Sequence, residues 1–252
     1  MELKYDSTPV SLTALAGPHT KTSVPRIKIK IDQGRVVMVV FNLLLIKLRI
    51  SFLSIAFIDH YDSFSFNVLD WLRSEADSHI EIQRIACDNE IGLMKIKKDP
   101  VPLVISPGPG NPSDYPETLK LIEMSLGKVP VFGLCLGHQM LIQLAGGSIT
   151  KAKSPWHGVP VHIRAVADHW ISQGLPPNFQ AISYNSLVGN LPARSPDWQT
   201  IAVNDDQEIM IMGHQTLDVA GVQFHPESFD QDALRCIARN FLARCGAARS
   251  SN

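Results

Sequence analysis

Gly133-Leu134-Cys135-Leu136-Gly137 sets a thiol between two glycines, each two residues away. This is the spacing of a nucleophile elbow, with Cys standing in place of Ser. The glycines permit a sharp turn and a close backbone approach. Such a turn presents Cys135 at the N-terminus of a helix, where backbone N–H groups and the helix dipole favour a thiolate. A nucleophile of this kind needs a base, and the base needs a group to orient it. Of the nine histidines, His225 is the best placed, in Gln223-Phe224-His225-Pro226-Glu227 directly after an apolar run. Pro226 restricts the backbone on both sides. Glu227, two residues on, points to the same side as His225 in an extended chain. Its carboxylate can hold one imidazole nitrogen and turn the other toward the thiol. Together Cys135, His225 and Glu227 would support acyl transfer through a thioester. The competing readings are a buried core cysteine and a surface His-Pro turn.

Acyl transfer also needs an oxyanion hole. The N–H of Leu136, just after the nucleophile, is the usual donor at an elbow. A second donor should come from a neighbouring loop, and Gly110 in Ser106-Pro107-Gly108-Pro109-Gly110-Asn111-Pro112 is the candidate. The Pro/Gly alternation makes a stiff loop, either a backbone cradle or a plain surface turn. Gln139 lies one helical turn beyond Cys135. Its amide could bind a polar substrate group, or it is an exposed helical glutamine. His60, His138, His157 and His214 are alternative bases. His138 is too close to Cys135 to reach round and is expected to pack beside the elbow. His157 reads as a loop residue at the substrate mouth or as a simple turn.

The elements around these residues alternate. Leu53–Ile58, Ile80–Ile85, Val101–Ile105 and Val129–Leu134 read as strands. Asp62 or Ser63 could cap a helix through Val68–Leu72, Pro116–Leu126 reads as a second, and Met140–Leu144 as a third stopped by Gly146-Gly147. The expected fold is α/β: a mainly parallel central sheet flanked by helices, with Cys135 at one strand end. Short strand candidates then crowd together at Val159–Ala167, Ala181–Tyr184, Thr200–Val203, Ile209–Met212 and Val219–Phe224. Without long helices between them they suggest a smaller antiparallel or mixed portion of the sheet. Asp230–Arg244 has the spacing of a closing amphipathic helix.

A net charge of −1 gives no large electrostatic pull toward nucleic acid or anionic membrane. The four cysteines, Cys87, Cys135, Cys236 and Cys245, lack CxxC spacing, so zinc and redox-motif readings are weak. No disulfide framework is expected, and a reducing, cytoplasmic setting follows. Residues 1–52 form a leader of uncertain status, with Ile27–Ile31 as a candidate edge strand. The apolar run Val36–Ile46 is shorter than the roughly 20 residues of a spanning helix. The leader is a dispensable segment or misplaced start, an ordered extra element, or a membrane anchor, the last being least favoured. Residues 53–246 are the main domain and 247–252 a frayed tail.

Gly-Leu-Cys135-Leu-Gly-His-Gln139 with Gln-Phe-His225-Pro-Glu227 resembles the class I glutamine amidotransferase domain. Within that family, Asp59-x-x-Asp62-Ser63-Phe64-x-x-Asn67 and Ser106-Pro-Gly-Pro-Gly110-x-Pro112 resemble the glutaminase component of anthranilate synthase and aminodeoxychorismate (para-aminobenzoate) synthase. The resemblance covers about residues 53 to 245. It implies that Cys135 attacks the side-chain amide of L-glutamine, that His225 is base and then acid, and that Glu227 orients it. It implies that Gly108, Pro109 and Gly110 with Leu136 form the cradle and oxyanion hole. Gln139, Ser186 and Leu187 would bind the glutamine, and ammonia would pass to a chorismate-aminating synthase subunit. No metal or organic cofactor is implied for this chain. Three departures stand out: many members carry Arg at Ser183, His at Asn185 and Lys at Val159. These bear on partner contact and glutamine gating rather than on the triad.

Two other functions compete. A cysteine peptidase or related hydrolase on a similar scaffold would turn over peptides or esters. A non-catalytic regulatory subunit would have lost a triad residue, and none is lost. The sequence does not choose between the tryptophan and folate branches.

Overall fold

The computed structural model describes residues 53–228 and 231–246. The expectations for residues 1–52 and 247–252, including the Ile27–Ile31 strand, lie outside them. β1 (Leu53–Asp59) shows why a parallel core forms here. Its odd and even residues are both apolar, so it needs cover on two faces. Ile55 and Phe57 join one buried cluster, and Ala56 and Ile58 join the other.

The chain alternates through α1 (Ser65–Glu75), β2 (Ile80–Ala86), α2 (Glu90–Lys98), β3 (Leu103–Ile105), α3 (Pro116–Ser125), β4 (Val131–Leu134) and α4 (Leu136–Leu144). β5 (Ser148–Lys151) and β6 (Val159–Ala165) follow, then β7 (Asn178–Ser183), β8 (Leu187–Asn190), β9 (Trp198–Asn204), β10 (Ile209–His214) and β11 (Val219–Val222). α5 (Arg235–Arg244) closes the fold. Nine strands make one sheet in the order β2-β1-β3-β4-β11-β10-β9-β6-β7. The stretch from β2 to β11 is parallel, and the rest is antiparallel. β5 and β8 form a separate antiparallel pair.

α1 and α5 cover one face, with Leu72 and Phe241 fully buried and Phe241 stacked on Phe132 of β4. α2, α3 and α4 cover the other with Leu93, Leu121 and Met140. Truncating a buried phenylalanine such as Phe132 to Ala would cost about 3–5 kcal/mol. This two-sided cover leaves the carboxyl ends of β1, β3, β4 and β11 open, where loops can gather.

Three sequence expectations need correction. α2 was not foreseen, because Glu90–Lys98 carries only Leu93 and Ile96 as buried positions. The short β5 and β8 were also missed; β5 has no fully buried residue and so no apolar pattern to read. Asp62 and Ser63 do not cap α1. Phe64 occupies the cap position, and the Asp62 carboxylate instead accepts the Phe64 N–H in the preceding turn. The Val219–Phe224 candidate lies in the antiparallel or mixed portion as expected: β11 runs parallel to β4 while pairing antiparallel with β10.

Candidate active site

β4 and β11 lie side by side and parallel, with Leu134 opposite Val222. The Cys135 N–H donates to the Val222 carbonyl at 2.9 Å. Cys135 and the segment Gln223–Glu227 therefore leave the sheet together, at the same end. Beyond Leu134 the chain turns at once into α4. Cys135 takes φ 48° and ψ −98°, a region that L-residues rarely occupy. A Cβ on Gly133 would lie 2.5 Å from the Gly137 backbone, and one on Gly137 would lie 2.5 Å from the Ile105 carbonyl oxygen. Any side chain at either position would push the turn off the sheet. α4 ends as its paired glycines suggest: Gly146 N–H reaches the Gln143 carbonyl and Gly147 N–H the Ile142 carbonyl.

His225 is buried, and its N–H donates to the Ile182 carbonyl at 2.9 Å. Its Nδ1 lies 2.7 Å from Oε1 of the fully buried Glu227. Burial opposes the charged imidazolium, but hydrogen bonding to Cys135 and to Glu227 and the charge of Glu227 outweigh it. The His225 pKa is held well above its ordinary value. The other nitrogen is thereby directed to the thiol. Phe64 packs edge-on to His225 with centroids 5.6 Å apart, and Tyr184 does so at 4.9 Å. These two rings, also in contact with each other, wall the imidazole against rotation.

The Pro/Gly loop comes to the same place. A Cβ on Gly108 would lie 2.5 Å from the His60 Cβ and 2.7 Å from the Leu136 Cδ2, so the loop lies directly against the start of α4. Tyr115 Oη donates to the Pro109 carbonyl at 2.9 Å. Asn111 and Asp114 exchange reciprocal cap hydrogen bonds around Pro112. Gly110 has φ +79°, and a Cβ there would lie 2.6 Å from the Asp114 carboxylate. The loop is thus braced from within and packed against the start of α4. The first N–H groups of α4, including that of Leu136, have no acceptor within the helix and face a site where negative charge is favoured.

Gln139 is not an exposed helical glutamine. It is buried, and its Nε2 donates to the Leu187 carbonyl at 3.0 Å and to Gln223 Oε1 at 3.1 Å. Asn185 Nδ2 also donates to the Leu187 carbonyl at 3.0 Å. Leu187 is half-buried and Ser186 is exposed. Gln223 Nε2 donates to Cys135 Sγ at 3.5 Å. The sequence assigns no role to Gln223 or Phe64, although each stands inside a quoted motif, nor to Tyr184 at the end of a strand candidate. The parallel pairing of β4 with β11 brings Gln223 to the thiol, and the segments after β1 and β7 bring Phe64 and Tyr184 to the imidazole.

His60, His138 and His157 are placed differently from His225. His60 is buried between Ser106 Oγ at 3.1 Å and Thr118 Oγ1 at 3.2 Å, and burial lowers its pKa to about 4 despite Asp59. Burial likewise lowers His138 to about 4, with the Gly221 and Ile209 backbone partly offsetting it; it packs beside the elbow as expected. His157 is exposed in a loop whose neighbouring Gly158 abuts Tyr184. Among the described residues no group of His, Cys, Asp or Glu is arranged to hold a metal ion, and no helix is long and apolar enough to cross a membrane.

A sequence model of the family described as glutamine amidotransferase class-I matches residues 56–245. Anthranilate synthase component 2 of Vibrio parahaemolyticus is 39% identical over 176 residues, 69% of this chain and 87% of that protein. Aminodeoxychorismate/anthranilate synthase component 2 of Bacillus subtilis is 35% identical over 190 residues, 75% and 95% respectively. The fold is shared with a glutamine amidotransferase from Thermotoga maritima, at TM-score 0.61 and 16% identity over 77% of this chain and 97% of that one.

Proposed function

The chain belongs to the class I glutamine amidotransferase family, and from that premise we propose that it hydrolyses L-glutamine and delivers the ammonia to a chorismate-aminating synthase subunit. The observation that carries the reading is the half-buried Cys135 beside the buried His225–Glu227 pair and a braced glycine loop. Cys135 Sγ attacks the side-chain carbonyl carbon of glutamine. The carbonyl oxygen becomes an oxyanion and is met by the N–H groups of Leu136 and the Gly108–Gly110 loop. His225 gives its proton to the leaving nitrogen, and ammonia departs from a γ-glutamyl thioester. A water then loses its proton to His225 and attacks the thioester, which releases the γ-carboxyl product and the Cys135 thiolate beside the again protonated His225. Glu227 holds the imidazole in one tautomer and supports its charged form.

Glutamine specificity is assigned to the Ser186–Leu187 segment and to Gln139, which fixes the Leu187 carbonyl. The names of the two relatives support a partner that aminates chorismate to anthranilate, to aminodeoxychorismate, or to both. Four free cysteines suit a reducing, cytoplasmic setting. The test is ammonia release from glutamine, alone and with an anthranilate-forming or an aminodeoxychorismate-forming synthase subunit. Stimulation by one or both partners, lost in Cys135→Ser, supports the reading and assigns the branch. Turnover of peptides or esters without glutamine hydrolysis would favour the hydrolase alternative.

A further inference from the structure

Gln223 stands one residue beyond the Val222–Leu134 pair, fully buried, with its amide between Gln139 and the thiol. We propose that Gln223 holds Cys135 as a thiolate through its Nε2–H, and that Gln139 fixes the amide in that orientation. The proposal rests on Cys135 being the nucleophile. The orientation follows from donor chemistry. The Leu187 carbonyl can only accept, so Gln139 turns its amide nitrogen to it at 3.0 Å. The same nitrogen lies 3.1 Å from Gln223, which must answer with its carbonyl oxygen. Only the Nε2 of Gln223 is then left for Cys135 Sγ, 3.5 Å away.

A donor at sulfur favours the charged form over the neutral thiol. With water excluded from Gln223, the bond acts in a low dielectric and is strengthened. The relay also joins the Leu187 segment to the nucleophile. An altered position of the Leu187 carbonyl would release Gln139, free the Gln223 amide to rotate and change the reactivity of the thiol.

The test is alkylation of Cys135 by iodoacetamide in the full chain, without glutamine or partner, followed against pH by peptide mass spectrometry. In Gln223→Met the rate profile should move to higher pH, with a neutral-pH rate about tenfold lower, as for one lost hydrogen bond to a charged group. Gln139→Met should give a smaller loss, and that loss should vanish in the double variant, because Gln139 acts only through Gln223. If Gln223→Met does not fold, the isosteric Gln223→Glu replaces the donor by an acceptor and should move the profile the same way. An unmoved profile in the folded Gln223 variant, or a Gln139→Met effect retained in full in the double variant, overturns the proposal. A wild-type Cys135 no more reactive than Cys236 would instead overturn the nucleophile assignment.

Discussion

Leu134 and Val222 are register partners on adjacent parallel strands, and the residue after Leu134 donates its N–H to the Val222 carbonyl. Everything chemical follows from that pair. One residue past Leu134 is Cys135, and one, three and five past Val222 are Gln223, His225 and Glu227. The exit bends after Val222 and turns after His225, where the Ser228 N–H donates to the His225 carbonyl at 3.3 Å, and that turn brings Glu227 back to the imidazole.

Cys135→Ser should abolish glutamine-dependent synthesis by the complex, by a factor on the order of 10⁴ or more. Synthesis from added ammonia by the partner should persist, because the partner's site is untouched. Assaying both nitrogen sources on one preparation checks this, and surviving glutamine-dependent synthesis would contradict it.

Cys135→Gly should be inactive yet more stable. The residue sits at φ 48°, a strain of about 1–3 kcal/mol for a side-chain-bearing residue. Glycine relieves that strain and loses about 0.5–1 kcal/mol through the freer unfolded chain. The net gain of about 1 kcal/mol should raise Tm by about 2–4 °C. An unchanged or lower Tm in thermal denaturation would argue against stored strain.

Glu227→Gln should lower kcat by about 10²–10⁴ while leaving the fold intact. Glu227 is among the groups that raise His225 against the opposing effect of burial. Removing its charge lowers the folded pKa, so the alkaline limb of the activity profile should move to lower pH. A pH–rate series on both proteins shows the direction.

Gly110→Ala should cost about 10²–10³ in kcat, as for one lost oxyanion donor. The new Cβ would meet Asp114 at 2.6 Å in a backbone conformation at φ +79°. The loop is exposed, so the melting temperature should fall by far less than the activity. Full activity would remove Gly110 from the oxyanion hole.

Acid should destabilise the fold through His60 and His138. Burial lowers both from 6.5 to about 4. The unfolded chain takes up these protons near the higher value and the native state near the lower. Their contribution is complete above the unfolded pKa and is lost as pH falls toward about 4, up to about 3 kcal/mol each. His225, with its raised pKa, has the opposite sign, and its contribution is lost as pH rises through the folded value. His138→Met should flatten the decline in urea-denaturation stability between about pH 7 and about pH 4.5. An unchanged slope would show that His138 does not carry this term.

The elbow, the His-Pro-Glu exit and the Pro/Gly loop were legible because each is local: glycine and proline restrict the backbone within a few residues. β1, β2 and β4 were legible because they are continuously or alternately apolar. Gln223, Tyr184 and Phe64 were not, since their meaning comes from contacts between distant segments that no local pattern encodes. The acceptors of the Gln139 amide were not legible for the same reason, as both are more than 40 residues away. α2 was hidden by a sequence with few buried positions, its Ile91 and Met94 being exposed.

The most direct measurement is intact-protein and peptide mass spectrometry of the chain with its synthase partner, acid-quenched during glutamine turnover. The account predicts a glutamyl adduct on Cys135 alone, absent from Cys135→Ser and accumulating further in a variant that slows thioester hydrolysis, such as Glu227→Gln. Steady glutamine turnover with no adduct in either protein, or with the adduct on Cys87, Cys236 or Cys245, would contradict it.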